Sequence, residues 1–167
     1  AIKFKKPIKN VSDKRIIDFK KKLKKVFMKL SELIVRDGEG ATKLIEINVL
    51  NARNEKDANT FAKSIANSPL VKTAIHGSDP NWGRIIMALG KTYININTEK
   101  LKIYFGKYLV IKNGTAHSKV DDKIISKYLG KDNIKITVDL GLGIKSSRIL
   151  TCDLSKQYID INASYKT

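Results

Sequence analysis

Apolar residues recur at three- and four-residue intervals from Ile16 through Phe19, Leu23, Val26, Phe27, Leu30 and Leu33 to Ile34, with lysines between them. This period predicts an amphipathic helix that ends near Arg36, with Ser12 as its N-cap and Asp13 in its first turn. Before it, residues 1–11 read as an extended lead-in, since Pro7 disfavours helix. Gly38 and Gly40 stop the helix, and the period then changes to two: Ile45, Ile47 and Val49 predict a strand over residues 43–51. Asn54 to Asn67 returns to helical spacing, with Ala58, Phe61, Ala62, Ile65 and Ala66 on one side. Asp79-Pro80 is a turn and helix-start signal, and Ile85, Ile86, Met87 and Leu89 continue from it as an apolar helix to Gly90. The second half reads as short strands over 93–97, 101–105 and 108–112, a helix from Val120 to Leu129, an alternating strand from Asn133 to Leu140, and a final strand pair over 148–154 and 157–161. Hairpin-length connections dominate there, so the predicted class is α+β, with mixed or antiparallel strands and flanking helices. No internal repeat or linker divides the 167 residues, which read as a single domain or a piece of one.

Composition narrows the partners. An apolar content of 42% supports a core, no apolar run approaches a membrane span, and Cys152 alone excludes an internal disulfide framework and fits a reducing, cytoplasmic setting. Two histidines and one cysteine do not make a dedicated zinc site. The formal net charge is +17, and residues 1–30 hold twelve Lys or Arg against two Asp. A basic nucleic-acid-binding module is therefore the competing reading, with affinity that falls steeply with salt. Two features weigh against it: the excess is nearly all lysine, and Lys, Asn and Ile are abundant throughout the chain. A solvated lysine face is the favoured reading.

Candidate chemistry concentrates at Asp37-Gly38-Glu39-Gly40-Ala41-Thr42-Lys43, where a carboxylate stands between two glycines at a helix-to-strand junction. Rigid elements on both sides can aim Glu39; the ordinary alternative is a helix C-cap with a solvated Glu. His76 has no Ser or Cys marked as its partner and reads as a loop residue, while Asp79 reads as a helix cap and Trp82 as core. The last ten residues end in Asn162-Ala163-Ser164-Tyr165-Lys166-Thr167, which puts amide and hydroxyl groups at the chain end. Walker, dinucleotide, His-Glu-x-x-His and nucleophile-elbow motifs are missing from the sequence.

The Glu39 motif, SPLVKTA over residues 68–74, Gly77-Ser78-Asp79-Pro80-Asn81-Trp82-Gly83-Arg84, Cys152-Asp153-Leu154 and the Asn162–Thr167 ending together resemble the ornithine acetyltransferase (glutamate N-acetyltransferase) family of arginine biosynthesis. The resemblance runs from about Ser12 to the last residue. It implies transfer of an acetyl group from N-acetylornithine to glutamate. No cofactor is implied; acetyl-CoA enters as a co-substrate that some members accept. It also implies a layered α/β fold of the N-terminal-nucleophile type, self-cleavage of a precursor at an Ala–Thr bond, and an α2β2 assembly of α and β chains. The new N-terminal Thr is then the nucleophile, and the α chain supplies an oxyanion hole. Carried over by position, the substrate-binding residues are Glu39, Asn162 and Thr167. No nucleophile can be assigned within the chain, because the first threonine is Thr42, inside the Glu39 motif, and Ala1-Ile2-Lys3 does not match the β-chain start. The expectation is therefore the C-terminal part of a β chain, inactive alone, that supplies part of the substrate pocket. A carboxylate suits the ammonium groups of such substrates through charge-assisted hydrogen bonds.

Overall fold

The computed structural model describes residue 8 and residues 10–117, 119 and 121–164. Thr167, most of the lead-in over 1–11, and Val120 lie outside the described residues. The chain divides into two compact units, Ala1–Ile34 and Val35–Thr167.

The first unit consists of most of helix α1 (Lys14–Arg36). Asp13 caps it in place of the expected Ser12, because the Asp13 carboxylate accepts from the Arg15 backbone N–H at 2.9 Å and pairs with the Arg15 guanidinium. Those bonds hold the Asp13 carboxyl down at about 2. The apolar stripe forms as spaced, yet no residue of α1 is buried.

The second unit is built on a mixed sheet of β1 (Leu44–Ala52), β2 (Lys102–Phe105), β3 (Tyr108–Lys112), β4 (Thr115–Ala116), β5 (Asn133–Asp139) and β6 (Lys145–Cys152), in the order β4-β3-β2-β5-β1-β6. β1 pairs parallel with β5 and antiparallel with β6. One set of alternating residues is apolar and fully buried: Ile45, Ile47 and Val49 of β1 align with Ile134, Ile136 and Val138 of β5, and Ile103 and Phe105 of β2 continue the layer. Most of the alternate positions are polar, and Glu46 pairs there with Arg148 at 2.6 Å and Lys135 at 3.7 Å. This alternation is what a sheet with one core face requires.

Helix α2 (Glu55–Ala66) packs on β1 and β6, capped by Asn54, whose side chain accepts from Asp57 N. Helices α3 (Pro69–His76) and α4 (Trp82–Gly90) follow, and α5 (Asp122–Leu129) packs near β2. The structure adds α3 to the expected elements: Ser68 caps it and Pro69 occupies its first turn, the Ser-Pro signal for a helix start. Trp82 packs against the core as expected, but Asp79 does not cap α4; Asn81 holds that position without a side-chain cap bond.

Two expected strands are absent. Residues 93–97 alternate in exposure, with Ile94 and Ile96 packed on the core, but form no ladder; Tyr93 adopts a φ of 56°. Residues 157–161 belong to a helix, α6 (Lys156–Ser164), and not to a strand pair with β6. The reason is tertiary. Asp153 and Ser155, which would have to reverse the chain for such a pair, instead bond across to residues 40–43. No helix among the described residues is long and apolar enough to cross a membrane.

Candidate functional site

The Glu39 turn is held by two kinds of contact. Its backbone closes on itself, with Ala41 N donating to Gly38 O at 2.9 Å. Gly40 takes a φ of 66°, and a Cβ there would stand 2.6 Å from Tyr158 N and 2.8 Å from Ser155 Oγ. Glycine is thus required twice, for the left-handed backbone and for the approach of α6. The remaining contacts come from the chain between β6 and the end of α6. Ser155 Oγ donates to Gly40 O at 2.6 Å, and Asp153 accepts from Thr42 N and Lys43 N at 2.8 Å each.

This arrangement brings two of the expected site residues together. Asn162 Nδ2 donates to Glu39 Oε2 at 2.7 Å and to Tyr158 O at 2.9 Å. Both amide hydrogens are thereby used, since a carboxylate and a carbonyl can only accept. Glu39 Oε1 and Asn162 Oδ1 have no hydrogen-bond partner among the described residues. Both residues are exposed. The result is an open site offering unfilled oxygen acceptors beside a negative charge, chemistry suited to an ammonium group with its three donors. The third expected residue, Thr167, lies outside the described residues.

Beneath the turn lies a group of side chains that the sequence did not single out as a unit. Asp153 is 2% exposed. Its Oδ2 accepts from Thr42 Oγ1 at 2.6 Å and lies 2.7 Å from His76 Nδ1. A carboxylate only accepts, so His76 carries its proton on Nδ1 when neutral. Burial acts to raise the Asp153 pKa, but the bonds from Thr42 and His76, with those from the Thr42 and Lys43 backbone, outweigh it and hold the carboxyl below its ordinary range. The Lys43 ammonium reaches the end of α3, donating to Ile75 O at 2.7 Å, His76 O at 3.1 Å and Ser78 Oγ at 3.0 Å. Carbonyls at a helix C-terminus favour a cation. Burial pulls the Lys43 pKa down, against the attraction of Asp153 and Asp132. His76, expected in a loop, is instead the last residue of α3. Its partner is 77 positions away, a separation that no local spacing reveals.

No group of three His, Cys, Asp or Glu that could hold a metal ion occurs among the described residues. An open groove of about 420 Å³ lies beside the end of α4, between Ile86, Leu89, Tyr93, Ile94, Ile96 and Leu101, and no titratable group other than Tyr93 lines it. The Glu39 turn is the better candidate for binding a charged ligand.

Fold and side chains together define an α+β domain with a polar surface site built around a carboxylate–amide pair. The chain belongs to the ArgJ family, whose model matches residues 5–167. It is 43% identical over 96% of its length to the arginine biosynthesis bifunctional protein ArgJ of Brucella suis, and 46% identical, again over 96%, to the protein of that name from Nitrobacter winogradskyi. It covers only 39% and 38% of those two relatives. The crystal structure of the argJ protein from Bacillus halodurans superimposes with a TM-score of 0.90 at 38% identity, covering 96% of this chain and 75% of that one. The family resemblance read from the sequence motifs and the α+β class both agree with these matches.

Proposed function

We propose that this chain forms part of the substrate pocket of an arginine-biosynthesis acetyltransferase, which moves an acetyl group from N-acetylornithine to glutamate. Membership of the ArgJ family supports the pathway. The observation that carries the site is the Glu39 carboxylate, held at 2.7 Å by Asn162 with its second oxygen unfilled among the described residues. N-acetylornithine keeps one ammonium group, on its side chain, and Glu39 is the group to receive it. Asn162 then orients the carboxylate and offers its own Oδ1 as a second acceptor, and Thr167 contributes its hydroxyl to the same amino-acid ligand. In this reading the reacting threonine and the oxyanion donors lie in the portion of its relatives that the chain does not match. The working enzyme joins this chain to an α chain as α2β2, and acetyl-CoA serves at most as an alternative acetyl donor.

The test uses the complete protein, this chain together with the remaining portion that its relatives carry. Ornithine release is measured from N-acetylornithine and glutamate. Glu39→Gln keeps the shape but removes the charge, so the KM for N-acetylornithine should rise about ten- to a hundredfold, the range expected for losing a hydrogen bond to a charged group. The melting temperature should hold. Unchanged kinetics in that variant remove the role given to Glu39.

A further inference from the structure

Asp153 gathers four donors onto one carboxylate: the backbone N–H groups of Thr42 and Lys43, the Thr42 hydroxyl and His76 Nδ1. Its side chain is fully enclosed. A buried, hydrogen-bonded carboxylate is a poor way to add stability, because well-packed apolar groups of similar volume commonly do as well or better. The core of this unit is in fact apolar, built from the sheet and α2 to α5. What the carboxylate supplies is direction. Two of its bonds go to successive backbone N–H groups at the point where the Glu39 turn enters β1.

The same residue opens the segment that forms the other wall of the site. Asp153 stands two residues before Ser155, whose hydroxyl holds Gly40 O, and nine before Asn162, whose amide holds Glu39. Apart from the turn's own Gly38–Ala41 bond, the contacts described for it come from one segment, residues 153–162, and its deepest anchor is Asp153. His76 closes the arrangement from α3, and its imidazole stays 38% exposed while Asp153 is enclosed.

We propose that Asp153 is a positioning residue for the Glu39–Asn162 site, its carboxylate setting the turn that presents Glu39 and the start of the segment that presents Asn162. This inference rests on the substrate reading above. A residue that acts through Glu39 and one that merely staples the fold predict different kinetics. The staple lowers stability and adds its effect to that of any other variant. The positioning residue affects binding only while Glu39 is there to be positioned, and variants that act through one group are not additive.

The experiment is a double-mutant cycle in the complete protein, with KM for N-acetylornithine, kcat and melting temperature measured for Asp153→Asn, Glu39→Gln and the pair. Asp153→Asn should raise KM about tenfold and change kcat by less than about threefold, the signature of lost binding. The pair should stand within about twofold of Glu39→Gln alone. Multiplied effects in the pair, or an Asp153→Asn variant with native KM, overturn the inference while leaving the role of Glu39 intact. A native KM in Glu39→Gln itself overturns the substrate reading and this inference with it. Should Asp153→Asn fail to fold, Thr42→Val takes its place in the cycle. It removes one donor to Oδ2, and its rise in KM must likewise vanish in the Glu39→Gln background.

Discussion

Helices α2 and α6 are held in place in opposite ways, α2 on the sheet and α6 on the Glu39 turn. α2 buries Ala58, Phe61, Ala62, Ile65 and Ala66 against β1 and β6. α6 buries none of its nine residues, and Tyr158, Ile159 and Ile161 stay 45%, 62% and 38% exposed. What holds α6 is directional: the Asn162–Glu39 bond, the packing of Tyr158 N against Gly40, and the anchoring of the preceding residues by Asp153 and Ser155. Apolar burial is additive and indifferent to small shifts, so it suits a scaffold. A few hydrogen bonds of about 1 kcal/mol each add little to stability, but they fix atoms to tenths of an ångström. The contrast separates the part of the molecule that makes the fold from the part that makes the site.

The contrast can be broken most forcefully at Phe61. Phe61→Ala should cost about 3–5 kcal/mol in chemical denaturation, the usual range for emptying a buried aromatic position. A loss no greater than that of a site variant would erase the distinction. Gly40→Ala comes next. It forces an alanine to a φ of 66° with its Cβ 2.6 Å from Tyr158 N. About 1–3 kcal/mol of strain follows, and α6 must move, so the melting temperature should fall modestly and the KM for N-acetylornithine should rise.

A pH titration sharpens the role of the anchor. The Asp153 carboxyl is held below its ordinary 3.8 in the folded protein. A depressed carboxyl contributes stability that is fully present above the unfolded value and is lost as pH falls through the folded one. The denaturation midpoint should therefore drop on acidification below about pH 4, and Asp153→Asn should flatten that limb. An equally steep limb in the variant would assign the acid sensitivity to other groups, Glu46 first, whose carboxyl is also held low: the bonds from Asn48 and Arg148 together outweigh the larger opposing effect of burial. The smallest effect on stability belongs to Asn162→Ala, within about 0.5 kcal/mol as for most surface changes. Its KM should nonetheless rise several-fold, the opposite profile to Phe61→Ala.

Much of this was legible in the sequence where one helix or strand sets its own period. α1, β1, α2, α5 and β5 follow from spacing, because each buries or lines up one face. The strand read over 93–97 shows where such a reading stops: Ile94 and Ile96 pack against the core, but packing is not pairing, and the segment joins no strand of the sheet. At 157–161 the same kind of run became a helix because Asp153 and Ser155 turn inward to residues 40–43. Glu39 and Asn162 were singled out by their motifs, and the structure brings the two together. The Thr42–His76–Asp153 group was not, since its members come from β6's end, α3 and the Glu39 turn, and only the fold brings them together.

The most direct measurement is a crystal structure of the complete protein with ornithine bound. The account predicts a ligand ammonium within about 3 Å of Glu39 Oε1, with the Asn162–Glu39 bond retained on the other oxygen. Ornithine bound elsewhere, with Glu39 still bonded to Asn162 alone, would contradict it.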